Sequence, residues 1–228
     1  MIDFMATLLE NAPDWLDRLR PALFMTLAVT AVSFLAASVL AIGLELARQS
    51  RFEAARWATR GFVDFLRCVP ILTILYLLYF GLPGVGITLS SFVAGTLGLA
   101  LVYSTYIAEV LRGGVSAIHR GQREAAIAAG LTPLMTFRHI VLPQALRVMA
   151  APLLVTFISL LKDSSICALI AVNELMLTAK VIMSQTFMPL HVFVLVGAIY
   201  FTIAWPMSLL ARWIERHLAR KTRAAWAS

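Results

Sequence analysis

Charge is scarce in this sequence. Only 14% of its 228 residues are Asp, Glu, Lys or Arg, while 61% are apolar; soluble domains run near half apolar and a quarter charged. That excludes a disordered chain, and an ordinary soluble enzyme fits poorly. Cysteine is scarcer still. Cys68 and Cys167 both sit in apolar runs, which leaves no disulfide framework and no metal-ligand spacing. The lysines Lys162, Lys180 and Lys221 all lack a preceding glycine, so the Gly-Lys-Ser/Thr ending of a phosphate-cradling loop is missing and the chain does not bind ATP by that device. None of His119, His139, His191 and His217 is followed by Glu, and there is no Gly-x-Ser-x-Gly elbow. With no catalytic constellation and no metal site to assign, the chain is read as not being an enzyme. Asp3, Glu10, Asp14 and Asp17 occupy the N-terminus, where a signal peptide needs a basic region ahead of an apolar one.

What the chain does have is long uncharged runs. A bilayer crossing takes about 20 mostly apolar residues in a helix. Residues 22–44 carry no charge, and neither do residues 68–108. The second run is too long for one crossing, and Gly81-Leu82-Pro83-Gly84-Val85-Gly86 breaks it, since Gly and Pro punctuate helices. The expected spans are residues 22–44, 55–80, 89–111, 148–161 and 181–211, five helices with termini on opposite sides. Leu8, Leu9, Trp15 and Leu19 predict a short amphipathic helix at the interface over 1–21. The domain reading is a 1–21 interfacial segment, a 22–216 five-helix domain with a long loop at 112–147, and a 217–228 basic tail.

The formal charge of +7 reports topology. With the N-terminus outside, the inner segments 48–60, 112–147 and 212–228 hold 14 Lys and Arg, against 4 in the outer segments. Lys and Arg prefer the cytoplasmic side, so no nucleic acid is needed to explain the excess. Arg212, Arg216, Arg220, Lys221 and Arg223 suit an anchor on anionic lipid. Trp57 and Trp213 suit interfacial anchoring. Met176, Met183 and Met188 read as packing, and Trp205-Pro206 as a kink in the last helix.

The 112–147 loop is too long for a simple connection, and it has internal order. Gln122 to Ala129 is a good helix by propensity. Gly130 suits the left-handed residue that closes a helix. Thr132 is a plausible N-cap with Pro133 at the first helical position. A second short helix should run through Ile140, and Pro143 should end the unit. The four alanines of the first helix leave a slim surface, suited to a groove on another protein. The same residues would also make a surface hairpin with no partner. Composition alone does not separate a membrane subunit worked by a docked partner from an oligomeric carrier of small polar solutes driven by an ion gradient. A docking lever on the cytoplasmic face favours the first.

Glu124-Ala125-Ala126, three residues, Gly130, nine residues, then Ile140-x-Leu142-Pro143 resembles the EAA motif of ABC-importer permeases at every defined position. Arg67-x-x-Pro70, Tyr79-Phe80-Gly81-Leu82-Pro83, Ala108-Glu109-x-Leu111-Arg112-Gly113-Gly114, Arg120-Gly121-Gln122 and residues 157–165 are similar to the polar amino acid uptake group, the histidine/arginine/glutamine type. The resemblance spans about residues 20–220. It implies an all-α membrane protein of type I ABC importer permease architecture in the cytoplasmic (inner) membrane. It also implies a second permease subunit, identical or homologous, two ATPase subunits that hold ATP and Mg, an extracytoplasmic binding protein that delivers a polar amino acid, and no cofactor on this chain. Glu124, Ala125, Ala126, Gly130, Ile140, Leu142 and Pro143 then form the element that couples the chain to the ATPase.

The fourth span suggests a substrate pathway. Its apolar run is short and contains Pro152, and interrupted helices often bear transporter sites because backbone groups come free. Thr156, Ser159 and Asp163 share a face by spacing, with Lys162 and Ser164 alongside and Arg67 on the second span. Asp64 with Arg67, and Glu109 with Arg112, are spaced to pair within their helices. The chain departs from cationic amino acid permeases at Val155-Thr156, where many have Asn-Glu, and at Cys68-Val69 and Ile74. This points away from arginine or lysine as the substrate through this subunit, and leaves acidic, neutral and opine-like amino acids open.

Overall fold

The computed structural model describes the backbone of residues 2–226 and the side-chain surroundings of residues 4–218. The tail residues Arg220, Lys221 and Arg223 therefore lie outside the described side chains. Among the described residues every regular element is helical. The helices are α1 (Ile2–Arg48), α2 (Glu53–Cys68), α3 (Ile71–Tyr76), α4 (Ser91–Ser116), α5 (Arg120–Ala128), α6 (Pro133–Thr136), α7 (Leu142–Asp163), α8 (Leu175–Thr186) and α9 (Pro189–Trp226). Four stretches are long and apolar enough to cross a bilayer: Phe4–Arg48, Ser91–Ser116, Pro133–Ile170 and Pro189–Leu218. The bent pair Glu53–Cys68 and Ile71–Val85 passes the same test when taken together, which brings the candidate crossings to five.

The stripe Trp15, Leu19, Ala22, Thr26, Val29, Ser33, Ala37 and Ala41 is buried along α1, repeating every three or four residues as one helix face must. Most of these residues are small, which lets two backbones approach in a membrane. Of these, Val29, Ala37 and Ala41 pack with Ala94, Leu99, Ala100 and Tyr103 of α4 in one core. With α1, α2, α3 and α7 around it, α4 is the central helix. Most of α9 is exposed, including Leu190, Phe201, Trp205 and Trp213.

Four expectations need correction. The N-terminal segment is not a separate interfacial helix. It is continuous with α1 through Pro13 and Pro21, and Trp15 and Leu19 are buried against Leu175, Ala179, Ile182 and Val192 of α8 and α9. The span expected at 55–80 bends by 104°. Its cause is Pro70, which forces Val69 out of the helical region to φ −87°, ψ 130°, as a residue before proline is commonly forced. The last span does not begin at 181. Phe187, at φ 56°, closes α8, and Pro189 opens α9. Pro143 does not end the loop unit. The helix passes through it into α7, and it likewise runs on through Pro152 and Pro206.

Candidate functional site

The bend at Val69–Pro70 opens a cavity of about 480 Å³ between the end of α2, α4 and α7. Its polar wall comes from Arg67 on α2, Tyr103 and Tyr106 on α4, and Thr156, Ser159 and Asp163 on α7. Val69, Val102 and Val155 supply apolar wall. Four of the sequence-predicted pathway residues, Arg67, Thr156, Ser159 and Asp163, thus share one cavity. Lys162 and Ser164 do not line it. Lys162 is exposed, and Ser164 is fully buried with its hydroxyl donating to the Leu161 carbonyl at 2.8 Å.

Arg67 is fixed from α4. Its Nη2 donates to the Thr105 carbonyl at 2.9 Å, its Nε faces the Thr105 hydroxyl at 3.4 Å, and its guanidinium lies 5.5 Å from the Tyr106 ring centre. Asp64, expected to pair with it, is exposed and forms no ion pair among the described residues. Glu109 takes that role instead. Its carboxylate lies 3.8 Å from Arg67 Nη2 and 2.9 Å from Arg48 Nη1, and it also binds Arg112. The expected Glu109–Arg112 pair is therefore one arm of a cluster joining α1, α2 and α4. Deeper along α4, the buried Tyr103 donates to Asp163 at 2.7 Å.

The second region is the segment between α4 and α7. The His119 ring accepts the Gly121 N–H at 3.1 Å and caps α5. At the other end Gly130 stands at φ +82°, with Leu131 N–H donating to the Ala126 carbonyl and Gly130 N–H to the Ile127 carbonyl. This is the Schellman closure that glycine permits. Thr132 caps α6 by accepting from Met135 N–H at 3.3 Å. Then Leu142 N–H reaches back five residues to the Phe137 carbonyl. Pro143 has no N–H and its ring crowds the preceding turn, and a widened turn is how the helix survives it.

Below this elbow, Ile118, Val141, Ala145 and Met149 form a small core of their own. Met149 packs directly on Gly114, and Arg123 donates to the Val115 carbonyl at 2.9 Å. The elbow is thus clamped to both α4 and α7. Its outer surface holds Glu124, Ala125 and Ile127, then Leu134, Met135 and Phe137, all exposed. Of the predicted coupling residues only Ala126 turns fully inward. Ile140 and Leu142 are half-buried, and Pro143 is exposed.

Residues 37–224 match the binding-protein-dependent transport system inner membrane component family. The chain belongs to that family. Membership decides between the two function classes that composition left open. The permease is 32% identical over 216 residues, 95% of this chain and 98% of the relative, to a probable glutamine ABC transporter permease protein of Bacillus subtilis. An L-cystine transport system permease protein of the same organism is 33% identical, covering 87% of this chain and 85% of the relative. A crystal structure of an amino acid ABC transporter with histidines superposes with a TM-score of 0.84 at 29% identity, over 95% of this chain and 99% of that one. The MetNI methionine ABC transporter, at 20% identity and a TM-score of 0.70 over 88% of this chain and 96% of that one, shares the fold.

Three polar groups escaped the sequence reading, two at the cavity and one apart from both sites. Tyr103 and Tyr106 had a signal: Tyr103-Ser104-Thr105-Tyr106 puts four hydroxyls in a row inside the permease's longest uncharged stretch. Glu174 had none. It is fully buried, accepts the Leu177 N–H at 2.9 Å as the N-cap of α8, and receives the Tyr200 hydroxyl at 3.2 Å. Burial pushes its carboxyl above the usual glutamate range, while the helix N–H groups, Tyr200 and Lys180 pull the other way.

Proposed function

We propose that this permease takes up an amino acid as the membrane subunit of an ABC importer, and that α7 transmits motion from a docked ATPase to the substrate. The observation that supports this is continuity. From Pro133 to Ile170 the chain runs as one candidate span, so the elbow and the cavity-lining Thr156, Ser159 and Asp163 belong to one rod. The path from Pro143 to Asp163 is roughly 30 Å at 1.5 Å per residue. A displacement applied at the elbow has no joint at which to dissipate before it reaches the cavity.

In this reading the N-terminus is outside and the elbow faces the cytoplasm, as the distribution of Lys and Arg favours. Leu134, Met135, Phe137 and Ile127 are the apolar contact with the ATPase. Glu124, exposed and without an ion pair among the described residues, offers its carboxylate to basic or amide groups there. ATP and Mg act on that partner. A second permease subunit, a copy or a relative, completes the pathway, since five crossings are few to enclose a gated polar route. An extracytoplasmic binding protein delivers the substrate, and Arg67, Thr156, Ser159 and Asp163 receive it. The relatives named for glutamine and cystine, and the transporter named for amino acids, support that class of cargo.

The test is assembly and drive. Leu134→Asp places a charge on a side chain that is 74% exposed, so membrane insertion should tolerate it. The expected result is that the variant inserts, fails to copurify with the ATPase, and gives proteoliposomes with no ATP-dependent amino acid uptake. Uphill uptake by liposomes holding the permease without any ATPase would overturn the proposal.

A further inference from the structure

Two groups of opposite charge face this cavity without pairing with each other, and they describe a ligand. Glu45 and Glu109 supply two carboxylates to a cluster with Arg48, Arg67 and Arg112. Three guanidiniums against two carboxylates leave one positive charge over. Arg67 is the member of that cluster that lines the cavity. Its Nη1 hydrogen-bonds to no group among the described residues, since both of its hydrogen bonds go through Nε and Nη2. Across the cavity, Asp163 receives one hydroxyl, from Tyr103, and forms no ion pair among the described residues. Ionised groups at membrane depth are costly and normally find a partner. This cavity therefore presents one guanidinium edge with no hydrogen-bond partner and one carboxylate with no ion pair among the described residues. The rest of its lining is hydroxyl or apolar: Thr156, Ser159, Tyr106 and the valines.

Accepting the proposed substrate cavity, on which this step rests, we infer that the permease selects amino acids with an uncharged side chain. The α-carboxylate takes the free guanidinium edge of Arg67, and the α-ammonium takes Asp163. A zwitterion uses both charges and leaves none for a third. A cationic side chain would meet hydroxyls and methyl groups with no carboxylate, and an anionic one would meet them with no second cation. In either case a full charge is desolvated without a counter-ion, which is strongly unfavourable away from water. The selection acts in the membrane subunit itself, apart from whatever the delivering protein admits.

The experiment is equilibrium binding of radiolabelled amino acids to the complex purified from native membranes, without the binding protein. The panel is L-arginine, L-lysine, L-glutamate, L-aspartate and the neutral amino acids. The amount of complex recovered normalises each measurement. The best binder should be neutral, with every charged amino acid at least about tenfold weaker, a gap of about 1.4 kcal/mol. In Thr156→Glu a carboxylate is added two helical turns before Asp163 on the same face of α7. The ratio of arginine to neutral ligand should then rise at least about tenfold, because an added counter-ion acts strongly in a low dielectric.

Two controls separate this inference from the reading beneath it. Arg67→Gln and Asp163→Asn, the latter keeping an acceptor for Tyr103, should each weaken the best ligand at least about tenfold. If they do, and the best ligand is charged, the selectivity inference fails while the substrate cavity stands. If both variants bind as the unaltered protein does, or if nothing in the panel binds, the cavity reading fails and the inference with it. An unchanged arginine ratio in Thr156→Glu, alongside weakened Arg67 and Asp163 variants, overturns the selectivity inference alone.

Discussion

Pro70 and Pro143 disturb their helices in opposite ways. At Pro70 the helix stops. Val69 goes extended, and the chain turns by 104° before α3 begins. At Pro143 it continues. Leu142 stays helical at φ −59°, ψ −47°, and the preceding turn widens to a five-residue span. Both prolines lack a donor and both crowd the turn before them. The chain answers the first by breaking and the second by bulging. The residue immediately before is part of the difference: β-branched Val69 favours extended backbone, while Leu142 favours helix. The consequence is architectural. The break makes room for the cavity, and the bulge keeps the elbow and the cavity wall on one rod. A proline thus marks where helix geometry must change, and its neighbours decide whether the change is a joint or a widened turn.

The contrast is broken most severely by giving the second proline the joint of the first. Two glycines inserted between Leu142 and Pro143 should leave the ATPase docked but sever the rod. Transport in proteoliposomes should fall at least about tenfold, the effect of roughly 1.4 kcal/mol on the rate-limiting step, with ATPase copurification retained. Normal transport by the insertion would show that α7 does not carry the motion. Gly130→Val acts one element earlier. A Cβ there meets nothing within 4 Å, but the backbone sits at φ +82°, so the cost is conformational, about 1–2 kcal/mol for an L side chain in that region. Uptake should drop several-fold, and ATP hydrolysis should lose its dependence on the binding protein. Unchanged coupling in paired uptake and hydrolysis assays would remove the turn from the mechanism.

These regions differed in how much of them could be read from sequence. The elbow was almost fully legible because its signals are local. Gly130, Thr132 and Pro133 state a C-cap, an N-cap and a first helical position in consecutive residues, and all three fall where expected. Its exit was misread because a proline-tolerant wide turn has no sequence signature distinct from a helix end. The five crossings were legible from uncharged length, but the 3₁₀ segment Ser164–Ile170 and the separate helix α8 were not, since apolar composition continues through them. At the cavity, the spacing of Thr156, Ser159 and Asp163 placed one wall. The opposite wall depended on the bend after Arg67, and the pairing of Arg67 with Glu109 instead of Asp64 depended on α4 lying alongside. Such contacts between residues far apart in the chain are not visible in local periodicity.

The break can be sharpened in turn. Pro70→Ala restores a donor and frees Val69 to be helical. The expected outcome is a partial closing of the bend and a few-fold loss of amino acid binding by the purified complex, smaller than the losses at the elbow because the resumed α3 still packs on α4. Thr73 N–H donates to the Pro70 carbonyl at 2.9 Å, an arrangement alanine can keep. Spin-label distances between positions on α2 and α4 would report the closing directly. A bend that does not change at all would mean that packing against α4, not the proline, holds the joint open.

The smallest expected effect is at Thr132, and it tests whether the stiffness of the elbow is distributed. Its hydroxyl is a single cap, worth about 1 kcal/mol to the helix it starts. Thr132→Ala leaves the Schellman turn at Gly130, the wide turn before Pro143, the Gly114–Met149 contact and the Arg123 bond in place. If those clamps share the task, transport should change by no more than about twofold, although the apparent melting temperature of the detergent-solubilised complex should fall by a few degrees. A loss as large as that of Gly130→Val would locate the rigidity in α6 alone, and would make the clamp between α4 and α7 incidental to the motion the rod transmits.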